Sequence, residues 1–143
     1  MSAPVEDARS RAEEQVAVDP GATMRGILAV VLALVFPGLG HFYLGRRARA
    51  ALFVVLVLFA VFVGTRLDGN LYTPSPGHPL SYLATLGSMG MGIPYFLLLY
   101  TWHYLGDVTA AGFDYGTAFL LSAGLMNLLL ALDAWDIATG RKE

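Results

Sequence analysis

Hydrophobic positions in this chain come in long unbroken blocks rather than at helical or alternating spacing, and short polar or Pro/Gly-rich breaks separate the blocks. Residues 1–23 are polar and mixed in charge, with Glu6, Asp7, Arg9, Arg11, Glu13, Glu14 and Asp19. Pro20-Gly21 stops any helix formed there, so a solvated tail is expected. The tail's length and acidity, with no Ala-x-Ala site after the next apolar run, argue against a cleaved signal peptide.

The first apolar block, residues 26–44, lies between Arg25 and Arg46. At about 1.5 Å per residue it reaches roughly 28 Å, barely the hydrocarbon thickness. Pro37-Gly38-Leu39-Gly40 interrupts it, so it is either a kinked span or a half-span that turns back. The second block, residues 48–65, contains ALFVVLVLFAVFV. Every backbone amide in hydrocarbon must pair within its own segment, so this run has to be a helix. Residues 66–81 carry Asp68-Gly69-Asn70 and prolines at 74, 76 and 79, which marks a loop outside the bilayer core. The third block, residues 82–105, holds Gly87, Ser88, Gly90, Gly92 and Pro94 ahead of the aromatic run YFLLLYTWHY. Pro94 beside Gly92 should kink it. The fourth block runs over residues 115–132 and is followed by Asp133-Ala134-Trp135-Asp136.

This pattern predicts an all-α membrane protein of about four transmembrane helices, the first short and broken at Pro37-Gly38. They form one helical membrane domain over residues 24–139, with a short charged tail at 140–143. Interrupted blocks one and three alternate with smooth blocks two and four, and no repeat period is obvious.

Composition supports a bilayer as the solvent. Of 143 residues, 56% are hydrophobic and only 14% charged, with a mean hydropathy of +0.59; soluble domains carry about 25% charged residues. The absence of cysteine excludes thiolate chemistry and disulfides. A net charge of −2 offers no polycationic surface for nucleic acid. Four full spans would place Arg9, Arg11, Arg25, Arg66, Arg141 and Lys142 on one side, against Arg46, Arg47 and Arg49 on the other. That favours cytoplasmic termini, yet it puts the densest basic cluster on the opposite side. A re-entrant first block would instead bring Arg25 and Arg46 to the same water.

The sharpest local string is Pro37-Gly38-Leu39-Gly40-His41-Phe42-Tyr43-Leu44-Gly45-Arg46. Its glycines permit close backbone approach, and Phe42-Tyr43 suit the headgroup level. The string resembles the hairpin motif of the two-transmembrane-helix domain family, with its glycine-rich helix end and Phe-Tyr-Leu-Gly turn. Similar strings also occur in uncharacterised small bacterial multi-pass membrane proteins. The resemblance implies a turn around residues 43–49 on the cytosolic side and no defined chemistry.

Ala84, Ser88 and Gly92 fall four apart and would line one helix face; Gly112 and Gly116 repeat that spacing. Small faces let helices approach closely in lipid, so this one suits either a partner or internal packing. Asn127 lies midway along an apolar block, where its amide needs a partner. Asp133 and Asp136 share a face close to Arg141 and Lys142, which suggests an interfacial ion cluster. His41, His78 and His103 are scattered and match no metal-ligand spacing, and no nucleophile elbow, phosphate loop or dinucleotide fingerprint is present. The sequence therefore predicts no enzyme, cofactor or metal. Its expected partners are the lipid bilayer and either a membrane protein or a second copy of the chain. A structural or accessory subunit in a bacterial inner (cytoplasmic) membrane is the leading expectation. A small transporter or channel subunit, with its site at the broken helices, is the alternative.

Overall fold

The computed structural model describes residues 19–141, so most of the expected N-terminal tail, together with Lys142 and Glu143, lies outside the described residues. Every regular element among the described residues is helical. They are α1 (Pro20–Val35), α2 (Leu39–Tyr43), α3 (Arg47–Arg66), α4 (Pro79–Met89), α5 (Ile93–Phe96), a π-helical turn over Leu97–Thr101, and α6 (Phe113–Ala138).

Two starts differ from the sequence expectation, and proline is the reason for both. Asp19-Pro20 opens α1 instead of closing a tail, so residues 20–23 are helical rather than a solvated tail. Asp19 accepts a hydrogen bond from the Gly21 N–H at 3.0 Å, and Pro20 occupies the first turn, where its missing N–H costs nothing. Pro79 likewise begins α4 rather than ending a loop. At the other end of the chain α6 runs on through Asp133 and Asp136 to Ala138.

Helices α3 and α6 are long and apolar enough to cross a membrane. Their 20 and 26 residues reach about 30 and 39 Å. The expected third span is α4 joined to the Ile93–Thr101 segment, and it is bent by 116° at its break. That is far more than a proline kink. Helix α1 has 16 residues, about 24 Å, and stops short of a full crossing.

Packing against α6 fixes the course of the rest. Helix α1 runs antiparallel to it: Gly26 lies under the Trp135 ring, and Ala33 reaches Asn127. The chain breaks at Phe36, which is extended, and α2 turns back. Gly40 sits against Ala29, Ala33 and Ala134, and Leu44 and Arg46 return beside Ala22 and Arg25. Helix α3 then leads away until Gly64 meets Gly116 and Leu120. Helix α4 runs parallel to α6, with Gly87 near Leu121 and Gly90 near Gly124. After its break the chain returns to where α4 began: Tyr104 Oη donates to the Gly69 carbonyl at 2.9 Å, and the Asp107 N–H to that of Asp68 at 3.0 Å.

Both interrupted segments therefore double back, one from each end of the α3/α6 pair. The end holding the start of α1, the start of α3 and the finish of α6 carries Arg25, Arg46, Arg47, Arg49 and Arg141. The opposite end carries Arg66 with Asp68, Asp107 and Asp114.

The interior is narrow. Val57, Leu71, Met91, Tyr95, Leu98, Leu120, Ala123 and Leu130 form its buried cluster. Outward side chains are apolar: Leu52, Val55, Phe59 and Phe62 of α3 are each more than half exposed. In water such a surface is a liability; in lipid it is the expected solvent face.

Candidate functional site at the meeting of two breaks

An α-helical carbonyl is normally satisfied by the N–H four residues later. For Ala33 that residue is Pro37, and for Gly90 it is Pro94; neither has an N–H to give. The two breaks thus each leave a carbonyl without its ordinary partner, deep inside the protein. Asn127 supplies both missing donors. Its Nδ2 donates to the Ala33 carbonyl at 2.8 Å and to the Gly90 carbonyl at 2.8 Å. An amide nitrogen has two protons, so the match in number is complete. A buried carbonyl left unpaired costs about 1 to 3 kcal/mol, which gives the side chain a clear structural role.

Glycines let the two break points touch. Gly92 has φ 70°, and a Cβ there would overlap the Leu34 and Val35 carbonyls at the end of α1. Gly38 has φ 84°, and a Cβ would fall 2.7 Å from the Ala50 carbonyl and 2.6 Å from Val54 Cγ2 of α3. On the outer surface the two broken segments share an apolar groove of about 320 Å³, lined by Val31, Leu34, Val35, Gly92, Ile93 and Phe96.

A second polar contact lies toward the arginine-rich end. His41 is fully buried on α2, and its Nε2 meets Asp133 Oδ2 at 3.0 Å. A carboxylate only accepts, so Nε2 carries the donated proton. The ring packs edge-on against Phe53 of α3, with centroids 4.8 Å apart. Three buried side-chain atoms among the described residues have no hydrogen-bond partner: His41 Nδ1, Ser88 Oγ and Asn127 Oδ1.

The structure brings some predicted residues together and separates others. Pro37, Gly38, Gly40 and His41 form the inner side of the hairpin, and Gly45 (φ 77°) lies in the turn that follows. Phe42 and Tyr43 face outward, 59% and 45% exposed. Ala84, Ser88 and Gly92 do not make one helix face, because α4 ends at Met89 and Gly92 lies beyond the break. Ser88 and Gly92 are buried inside the chain, and Ala84 is half-buried. Gly116 is also internal, packed on the backbone of Gly69. Asp136 approaches Arg141 at 4.0 Å, a partly exposed pair worth little. Asp133 meets His41, at 3.0 Å. Reading the histidines as isolated missed this pair, whose members are 92 residues apart. His103 lies in the irregular segment after the π-helical turn, with φ 46°.

Residues 28–143 match the family described as a family of unknown function (DUF6677), and the chain belongs to that family. No match is found among curated proteins or among solved structures. The resemblance of residues 37–46 to the two-transmembrane-helix domain family has no counterpart in these matches.

Proposed function

We propose that this member of the DUF6677 family is a small multi-pass membrane protein of transport type, in which two re-entrant hairpins and two spans frame a cation pathway. The observation that carries the reading is the convergence of two helix C-terminal ends, from opposite ends of the bundle, on Asn127. A helix C-terminus carries roughly half a negative charge. Broken segments meeting near mid-membrane are how transporters place such ends at a small cation. The unpartnered Asn127 Oδ1, Ser88 Oγ and His41 Nδ1 add polar atoms along the same interior. The cation is small, the proton included.

In this reading the chain crosses the membrane twice rather than four times. Among the described residues five arginines lie at one end and one at the other, so the rule that basic residues stay inside puts the start of α1 and the finish of α6 in the cytoplasm. The membrane is the bacterial cytoplasmic membrane. Two spans cannot enclose a path by themselves, so the working unit is an oligomer or a complex with another membrane protein. An accessory scaffold is the weaker reading, because Ser88 and Gly92 are used inside the chain and are not left for a partner helix.

The test is flux. Purified protein is reconstituted in vesicles holding a proton- or sodium-sensing dye, and a membrane potential is imposed. The wild type should pass one of these ions, and Asn127→Leu should lose the flux while still inserting. A wild-type protein that passes neither ion, yet co-purifies with a fixed membrane partner, would replace this reading with the scaffold.

A further inference from the structure

The seam between α4 and α6 is built from glycine: a Cβ on Gly90 would strike the Gly124 carbonyl, and one on Gly124 the Gly87 carbonyl. Ser88 stands beside Gly87, its carbonyl 3.1 Å from where that Gly124 Cβ would sit. Asn127 follows Gly124 by three residues on α6 and bonds to Gly90. Two side-chain oxygens of this region are buried with no hydrogen-bond partner, Asn127 Oδ1 and Ser88 Oγ. We infer that they are the side-chain ligands of a sodium site. The inference rests on the cation pathway proposed above and narrows it to one ion.

Lone pairs are the first argument. Asn127 spends its Nδ2 on the Ala33 and Gly90 carbonyls, at 2.8 Å each, and its Oδ1 on nothing. Each of those carbonyls has two lone pairs and uses one on Asn127, so each can still face a cation. Buried oxygens without a partner call for an ion or a water. The C-terminal ends of α1 and α4 converge here, and the negative ends of two helix dipoles favour a cation over a neutral water. The donors then select the ion. Amide, hydroxyl and peptide oxygens are hard and neutral, and none takes up a proton near neutral pH. No Asp or Glu is buried among the described residues, so a divalent ion would lack the carboxylates it favours. A monovalent metal ion remains. Helix ends packed glycine against glycine suit the smaller sodium rather than potassium.

Thermal unfolding of the detergent-purified full chain in sodium, potassium or choline chloride, at one ionic strength, reads the site. Sodium at tenfold excess over its Kd should raise the midpoint by about 5 °C, and potassium and choline should not. Ser88→Ala removes only an unpartnered hydroxyl, so it should keep its sodium-free midpoint and lose most of the sodium shift. Ser122→Ala, at an exposed position of α6, should keep the shift. Equilibrium dialysis of the unsubstituted protein with radioactive sodium should find one bound ion per chain, a readout that stands even if Ser88→Ala fails to fold. No sodium shift, an equal shift in potassium, an undiminished shift in Ser88→Ala, or no sodium retained on dialysis would each overturn the site. Proton flux in vesicles without a sodium shift would overturn the sodium site and keep the transport reading. A sodium shift lost in Ser88→Ala, with no flux, would keep the site and remove the pathway.

Discussion

Asn127 donates to the carbonyl of Ala33, the one α1 carbonyl whose natural partner is a proline. The same amide does this again at Gly90, where Pro94 has removed the N–H. Asn127 therefore replaces two backbone hydrogen bonds with side-chain ones, and it ties both hairpins to α6.

Asn127→Leu should destabilise the fold by about 2 to 5 kcal/mol, since two buried carbonyls lose their donors together. Part of that loss should vanish in a Pro37→Ala/Pro94→Ala background, where backbone N–H groups return. Thermal unfolding in mild detergent, read as a double-mutant cycle, measures the coupling; additive losses would show that the prolines and Asn127 act independently.

His41→Gln and Asp133→Asn should each lower stability, and the pair should show a coupling of about 1.5 to 3 kcal/mol, the range for a hydrogen bond to a charged group. Asp136→Asn, whose partner Arg141 is 72% exposed, should change stability by under about 1 kcal/mol. A similar loss at Asp133 and Asp136 would mean that the buried histidine contributes nothing specific.

The glycine positions separate strain from collision. Gly45→Ala meets nothing within 4 Å, so only its left-handed backbone resists, at about 1 to 2 kcal/mol. Gly92→Ala also drives a Cβ into the Leu34 and Val35 carbonyls and should cost clearly more. Unfolding midpoints of the two variants in one detergent give the comparison.

Sidedness is open to direct labelling because the chain has no cysteine. Single cysteines at Thr23, Ala48 and Arg141 should react with an impermeant thiol reagent from one face, and those at Ser75 and Ala110 from the other. Thr23 and Ala48 reacting from opposite faces would mean that the first segment crosses outright.

Much of this arrangement is legible in the residues. The uninterrupted run in residues 48–65 becomes α3 with ends within one residue of those expected, because hydrocarbon leaves such a run no alternative to a helix. The breaks at Pro37-Gly38 and near Pro94 appear where the prolines are. Direction after each break does not follow from composition: a kinked span and a hairpin use the same residues, and only packing against α6 chooses between them. The sequence shows that Asn127 needs a partner, but its partners are backbone carbonyls, which carry no residue-type signal. Counting prolines four residues beyond a carbonyl would have found both. The link between His41 and Asp133 depends on how α2 folds back, so neither residue announces the other.

The bond from Asn127 to Ala33 spans 94 residues. During synthesis the first hairpin leaves the ribosome long before the last helix exists, so for most of translation the Ala33 carbonyl is without the donor that pairs it in the fold. The first hairpin is thus completed only when the last helix arrives, and a chain truncated before Asn127 should leave that carbonyl unpaired.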